Sequence, residues 1–198
     1  MALIGLKYMA AAKAAYADGG VTFSEGMLIG KAISVDKSID FNNVKLHADN
    51  ELVESDNSFS KGTITINTDD YGFKKENIPK VQAFLFGHTY VAAEEGVPEH
   101  IVKNADDVRP FVGVAYVKTR KKDNKLSYEV TVIYKVQFNP GSESAQTKGE
   151  SVEFKTPTIT GDISTCTIND KAGVYEETYF FDTYEEAVTF IKTLFAMV

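Results

Sequence analysis

The sequence predicts a mainly β protein of one domain, residues 1–198, in which two α-helices lie on β-sheet. Three observations predict this class. One segment alternates apolar and polar residues over an unusual length, five others are rich in Val, Ile, Thr, Tyr and Phe, and two segments carry the boundary signals of helices. A chain of 198 residues can bury a sizeable core, and no repeat or low-complexity linker divides it.

The clearest strand is the segment 126–138. At ~3.3 Å per residue it would be about 40 Å long, which is longer than most strands. It is predicted to pair with the segment 111–119 as a long hairpin, with a solvated basic tip that contains Arg120, Lys121 and Lys122. Ile133 is predicted to be an apolar exception on the polar face. The opposite face would carry Leu126, Tyr128, Val130, Val132, Tyr134, Val136 and Phe138.

Five further segments are predicted to be strands because β-branched and aromatic residues dominate them. They are 27–35, 61–68, 151–155, 158–164 and 174–181.

Two helices are predicted from their boundary residues. The first spans 78–86, with Pro79 in its first turn and Gly87 just past its end. The second spans 184–196 and begins with a capping box, in which Thr183 caps the helix and Glu186 reaches back. Its apolar residues repeat at helical spacing, which predicts that one stripe faces the core: Ala187, Val188, Ile191, Leu194 and Phe195.

The alanine-rich segment 9–15 is the ambiguous part of the chain. Its intrinsic propensity favours a helix that ends at Gly19 and Gly20. Its apolar stripe is weak, so the propensity is the main support for this helix.

Charge, cysteine content and hydropathy limit the classes of function. The net charge of −7 disfavours a nucleic-acid-binding surface, which needs clustered Lys and Arg. Cys166 is the single cysteine, so neither a disulfide framework nor a Cys-rich zinc site is expected, and a reducing compartment is favoured. No apolar run approaches the ~20 residues of a membrane span. The first residues lack the basic and apolar regions of a signal peptide, so none is expected.

No residue is predicted to be catalytic, to bind a cofactor or to bind a metal. His47, Asp49, Glu51 and Glu54 resemble a metal site at first, but their spacing fits no ligand pattern and a polar loop is favoured. Turn and capping roles are predicted for two pairs of acidic residues, Asp69 with Asp70 and Asp106 with Asp107. His88 and His100 have no recognisable nucleophile beside them, and Cys166 has no local activating group.

Four stretches, in order along the chain, resemble the major tail proteins of long-tailed, non-contractile bacteriophages. The second contains Ala48-Asp49-Asn50 followed by glutamates, and the third, Asp107-Val108-Arg109-Pro110, leads into the long hairpin. The fourth has a Gly-turn, an alternating strand and a Pro at its exit. The stretches are 5–8 followed by 30–35, 46–54, 107–114 and 147–159.

This resemblance implies a fold and an assembly. The fold would be two packed antiparallel sheets, as a β-sandwich or barrel, with a flanking α-helix and a C-terminal α-helix. Residues 1–20 would form an N-terminal arm, and 9–15 would then be a strand or extended arm. A long loop or hairpin at about 36–61 would order between rings, with His47, Asp49, Asn50, Glu51 and Glu54 as contacts.

The implied function is that of a virion protein without cofactors, made in the bacterial cytoplasm. Hexameric rings would stack into the tail tube, together with tape measure and terminator proteins, and DNA would pass through the channel without specific binding. We expect a net acidic channel wall with side chains such as Glu129 or Glu153, and Arg120 and Lys121 pointing outward.

Two other classes stay open at this point. One is a monomeric β-sandwich binding module for carbohydrate or adhesion, which the absence of Trp disfavours. The other is an enzyme whose active site carries no recognisable motif. By the same resemblance, an infectious phage, a prophage remnant and a tail-like bacteriocin would use similar subunits.

Overall fold

The computed structural model describes residues 2–17, 19–71, 77–141, 147 and 156–197. Within these residues the chain forms fourteen strands and two helices. The predicted strand 151–155 lies outside the described residues, as does most of the stretch 147–159. In chain order the elements are β1 Ala2–Ala17, β2 Gly20–Gly30, β3 Ala32–Phe41, β4 Val44–Ala48, β5 Glu51–Asp56, β6 Phe59–Thr68, α1 Ile78–Phe86, β7 Thr89–Val91, β8 His100–Val102, β9 Val112–Lys122, β10 Lys125–Asn139, β11 Thr158–Ile163, β12 Cys166–Ile168, β13 Lys171–Val174, β14 Glu176–Phe181 and α2 Tyr184–Leu194.

The main sheet is antiparallel and folds over into two layers, which confirms the predicted mainly β, sandwich-like class. Its strand order is β2-β1-β9-β10-β11-β6-β3, and β14 also pairs with β10. Strands β2, β1, β9, β10 and β14 form layer one, whereas β11, β6 and β3 form layer two. β1 also contacts β3, although the two strands are not paired. The two layers share an inner core, to which β1, β9 and β10 contribute from layer one and β6 and β11 from layer two.

The long strand β10 changes partners halfway along its length. Residues 128–133 pair with β14, whereas residues 136–139 pair with β11. Between Ile133 and Val136 the strand has one residue more than β9 opposite it, which is a β-bulge.

The bulge overturns the predicted single apolar face of the segment 126–138. Val130, Val132 and Tyr134 pack on the side of layer one that α2 covers, but Val136 and Phe138 pack between the layers beside Ile133. The prediction was wrong because one extra residue shifts the side-chain alternation by one position.

Layer one is therefore buried on both faces. The inner core, between the layers, is closed by Val81, Phe84 and Leu85 of α1. The outer core lies between layer one and α2, which contributes Ala187, Ile191 and Phe195. None of the helices in the described ranges is long and apolar enough to cross a membrane.

Both predicted helices are confirmed at their N-terminal ends. α1 has the predicted bounds, and Gly87 ends it with a φ of 74°, where a Cβ would lie 2.2 Å from the carbonyl oxygen of Val108. α2 has the predicted capping box, with 3.3 Å from the Glu186 N–H to Thr183 Oγ1. It ends at Leu194 rather than 196, because Ala196 takes a left-handed φ of 48°.

The predicted strand 27–35 is two strands in opposite layers. β2 ends at Gly30 and pairs with β1, whereas β3 begins at Ala32 and pairs with β6. Asp69 fixes this corner, since its Oδ1 accepts the Lys31 N–H at 2.8 Å. A Cβ on Gly30 would lie 2.2 Å from the carbonyl oxygen of Asp70, so only glycine fits the crossing.

The helix that propensity predicts at residues 9–15 is wrong, because these residues lie in β1. β1 pairs with β2 on one edge and with β9 on the other, so it is an inner strand of layer one. Met9, Ala10, Ala11 and Ala12 are fully buried, with Ala11 facing the inner core and Ala10 and Ala12 facing the outer core. Burial on both faces outweighs the intrinsic preference of alanine for a helix.

Replacing Ala12 by Leu should destabilise the fold by about 1–3 kcal/mol, because the added methylenes have no room beside Phe23 in the outer core. The exposed Ala17 at the end of β1 is the matched control, and its change to Leu should shift stability by less than about 0.5 kcal/mol. Urea unfolding measures both. Equal, small effects would contradict a buried strand, since Ala and Leu are nearly equivalent in an exposed helix.

Candidate functional site

The most exposed element of the described chain is a hairpin formed by β4 and β5. Every residue of its two strands is exposed. Asp49 and Asn50 connect the strands with φ values of 51° and 65°, the left-handed conformation of a two-residue hairpin turn. We call residues 44–56 the projecting hairpin.

The projecting hairpin carries apolar side chains that the rest of the described chain does not cover. Val44, Leu46, Leu52 and Val53 are each more than half exposed. A two-stranded hairpin without a packing partner is marginally stable in water. Val44 and Leu46 lie two residues apart on one face of β4, whereas Leu52 pairs with His47 on the opposite face. Uncovered apolar side chains grouped on one element mark an interaction surface.

A polar network holds the base of the hairpin. The Asn42 N–H donates to the carbonyl oxygen of Ser58 at 2.8 Å, and Asn42 Nδ2 donates to Ser58 Oγ at 2.9 Å. Asp56 Oδ1 accepts the Ser58 N–H at 2.9 Å. The Ser58 backbone N–H, the Ser58 hydroxyl and Asn42 lower the pKa of the Asp56 carboxyl. These bonds bring the two chain ends together where the hairpin leaves the sandwich.

The structure brings the five predicted contact residues together at the outer part of this hairpin. Asp49 and Asn50 form the turn, His47 pairs with Leu52, and Glu51 and Glu54 lie on β5. Their contact with another subunit stays a prediction.

A second projecting feature is the end of the β9–β10 hairpin. Asp123 and Asn124 form a two-residue turn with φ values of 50° and 60°, and the residues around it are exposed, as predicted for a solvated tip. We call the exposed residues 121–126 the basic tip, because Lys121, Lys122 and Lys125 outnumber Asp123.

Behind the basic tip lies a nearly buried ion cluster that the sequence did not predict. Glu129 is 3% exposed, and its two carboxylate oxygens contact Lys118 Nζ and Arg120 Nε. Burial raises the pKa of the Glu129 carboxyl, but the hydrogen bonds and charges of Lys118 and Arg120 outweigh this effect and lower it below its ordinary value.

This cluster corrects the expected placement of charge on the long hairpin. Glu129 was expected on a channel wall with Arg120 pointing away from it, but the two side chains lie on one face and form an ion pair. Glu129 directly faces Lys118 in the strand register, which explains the contact. Glu153 lies outside the described residues.

The outer face of layer two is polar over three strands. Thr158 Oγ1 donates to Asn67 Oδ1 at 2.6 Å, and Asn67 Nδ2 donates to Ser34 Oγ at 2.8 Å. The strand register sets further polar residues side by side in rows across this face. One row is Thr160, Thr65 and Asp36, and the next is Asp162, Thr63 and Ser38.

The remaining candidates have structural contacts. Asp107 Oδ2 lies 2.7 Å from His88 Nδ1 and accepts the Asn104 N–H at 2.9 Å, and both bonds lower the pKa of Asp107. Asp69 and Asp70 accept backbone N–H groups, so the predicted turn role is confirmed for them and for Asp107.

His100 and Cys166 each contact a backbone carbonyl. His100 Nδ1 lies 3.0 Å from the oxygen of Pro98, and the half-buried Cys166 Sγ lies 3.5 Å from the oxygen of Val174. Burial raises the pKa of the Cys166 thiol. In the described ranges no cluster of three or more His, Cys, Asp or Glu side chains is placed to hold a metal ion.

Comparison with known proteins identifies no relative: a scan against protein-family models and a search of curated proteins both give no significant match.

Replacing Glu129 by Gln should lower the free energy of unfolding by about 1.5–3 kcal/mol at pH 7, because two cations lose a charged acceptor. The folded-state pKa of Glu129 is depressed, so its contribution is present above the ordinary pKa of ~4.3 and is lost as the pH falls below that value. Urea unfolding of both proteins from pH 7 to pH 3 should therefore show a difference that shrinks in acid.

The matched control for this change is Glu54→Gln on the projecting hairpin, which is exposed and forms no ion pair within the described chain. It should change stability by less than about 0.5 kcal/mol at any pH. A Glu129→Gln difference that stayed constant down to pH 3 would contradict the role of the carboxylate charge.

Proposed function

We propose that this protein is a tail-tube subunit that assembles into stacked hexameric rings, through which phage DNA leaves the particle. The resemblance in four ordered stretches supports this function, and one structural observation carries it. That observation is the projecting hairpin, whose strands are exposed throughout and whose apolar side chains lack a partner in the described chain.

The hairpin suits a contact between rings. Its base is fixed by the Asn42–Ser58 hydrogen bonds, so it leaves the sandwich in a defined direction. None of the residues 44–56 packs in the inner core, so both strands of the hairpin lie outside the sandwich. Binding to an adjacent ring would bury Leu46 and Leu52, at ~25 cal/mol for each Å² of apolar surface removed from water.

The strand β3 supplies a free sheet edge for contacts between subunits within a ring. β3 stands at one end of the strand order and pairs only with β6 among the described strands. Its unpaired N–H and C=O groups are available to a strand of a neighbouring subunit. Such pairing would continue layer two around the ring.

The outer face of layer two suits the wall of a DNA channel. It presents hydroxyl and amide groups together with Asp36, Asp40 and Asp162. Lys61 is the one cation on this face among the described residues, and its Nζ lies 3.7 Å from Asp40 Oδ2. The three aspartates and Lys61 together carry a net charge of −2, so six subunits would contribute about −12 to the channel wall. A polar wall of this sign would not hold the duplex, because phosphate contacts need Lys or Arg.

Deleting residues 44–56 should spare the fold and abolish tube formation. The deletion leaves Asn43 and Asn57 between the bonded residues Asn42 and Ser58, and asparagine tolerates the left-handed conformation of a two-residue turn. The free energy of unfolding, measured in urea, should change by less than about 0.5 kcal/mol, since no buried residue is lost. Negative-stain microscopy of concentrated protein measures assembly.

Substitutions distinguish the contacts of the projecting hairpin from a general effect of removing exposed apolar side chains. Leu46→Ser with Leu52→Ser should impair assembly, whereas Val108→Ser, at an even more exposed apolar site elsewhere, should not. Amide exchange should be fast in the hairpin of the free subunit and slow in the tube. Tubes that form normally without residues 44–56 would rule out the inter-ring role.

Replacing Asp36 and Asp162 by Lys should slow DNA ejection from assembled particles and make its rate depend on salt, because the new cations would contact phosphate. The exposed Glu94 and Glu95, changed to Lys, serve as the control of equal charge. An unchanged ejection rate with both double variants would show that layer two does not line the channel.

A further inference from the structure

We infer that the projecting hairpin docks on the basic tip of a second copy of this chain. Every subunit therefore carries both of the surfaces that form the contact. This inference rests on the proposed function, since it names the surface that receives the hairpin. It follows from the charge and the exposed apolar side chains of the two features.

The two features carry opposite charge. In the projecting hairpin Lys45 stands against Asp49, Glu51, Glu54 and Asp56, which gives a net charge of −3. In the β9–β10 hairpin between 118 and 129, five cations stand against Asp123 and Glu129, which gives +3. On a chain of net charge −7, the β9–β10 end is thus a local reversal of sign.

The ion cluster makes the basic tip available for binding. Glu129 forms ion pairs with Lys118 and Arg120, so it does not neutralise the lysines nearer the turn. No ion pair of Lys121, Lys122 or Lys125 is present within the described chain, and the three residues are exposed. Their charge is directed at solvent or at a partner.

Apolar side chains accompany the charge on both features. The basic tip includes Leu126, and Leu3 and Ile4 lie beside it on β1, where Leu3 pairs with Arg120. All three are about half exposed, as are Leu46 and Leu52 on the projecting hairpin. The register places Leu126 and Leu3 on opposite faces of the sheet, and Leu46 and Leu52 on opposite faces of the projecting hairpin. Each feature therefore combines uncovered apolar side chains with a net charge of one sign, as specific interfaces commonly do.

A second copy is the occupant that these properties favour. The two surfaces are complementary to each other rather than to themselves, so pairing them is a head-to-tail contact. Head-to-tail contacts repeat from subunit to subunit and produce rings or open tubes, depending on the rotation between copies. A nucleic acid could supply negative charge to the basic tip, but it would leave the apolar patch of the projecting hairpin uncovered.

Charge should orient this contact, and the apolar side chains should supply most of its strength. Exposed ion pairs are individually weak and are screened over about 10 Å at 0.1 M salt and about 3 Å at 1 M. We therefore expect the concentration needed for assembly to rise with salt.

Paired charge reversals test the contact. Glu51→Lys with Glu54→Lys, and separately Lys121→Glu with Lys122→Glu, should each raise the concentration needed for assembly at least about tenfold, since like charges would then face each other. All four changes in one chain should restore assembly. Control reversals of equal charge are Glu94→Lys with Glu95→Lys, and Lys103→Glu with Lys192→Glu, at exposed sites outside both features.

A carbodiimide, which joins a carboxylate directly to an amine, tests the same contact in the unaltered protein. In tubes grown from mixed ¹⁴N and ¹⁵N subunits, mass spectrometry should find links between Glu51 or Glu54 of one copy and Lys121, Lys122 or Lys125 of another.

The outcomes separate this inference from the proposed function. Tubes that lack these links, or a fourfold variant that stays unassembled while its controls assemble, would overturn the inference and leave the tube function standing. A wild-type chain that neither assembles nor cross-links under any condition would overturn both. Binding of duplex DNA at 0.15 M salt, lost with Lys121→Glu and Lys122→Glu in the absence of cross-links, would assign the basic tip to nucleic acid instead.

Discussion

The change of partner along β10 determines the architecture of this protein. Tyr134 and Lys135 mark the change, since the Tyr134 N–H bonds to the oxygen of Tyr175 and the oxygen of Lys135 accepts the Ser164 N–H. One half of β10 thereby belongs to layer one with β14, and the other half leads to layer two through β11. The bulge beside this point turns apolar side chains toward the inner core on one half and the outer core on the other, so one strand supports both cores.

Burial of layer one on both faces explains the composition of β1 and the position of the helices. Alanines 10–12 add little side-chain volume to either face of the sheet, and α1 and α2 cover opposite faces. The polar surfaces are then left to the outer face of layer two and to the hairpins, whose side chains are not needed in either core. The features proposed to support assembly thus lie on a sandwich whose stability is expected to depend on them very little.

The distribution of charge follows the same division. Glu129 is held by Lys118 and Arg120 next to the sandwich, and this frees the lysines of the basic tip for contact with other molecules. The carboxylates of the projecting hairpin and of layer two lie on separate exposed surfaces. The proposed function uses this separation of charge: the basic tip would attract a second copy, and the acidic outer face of layer two would repel DNA.

Local sequence signals determined the elements that depend on local contacts. Pro79 and Gly87 located both ends of α1, and the Thr183–Glu186 box located the start of α2, because caps act over a few residues. The alternation of 126–138 located β10 for the same reason. The sequence also placed the five predicted contact residues in one polar segment. Even the Lys118–Glu129 pair could have been found by counting back from a two-residue turn at Asp123 and Asn124. Only the tertiary structure decided the bulge in β10, the strand at residues 9–15, the corner at Gly30 and the His88–Asp107 contact, because each depends on segments distant in sequence that must pack together first.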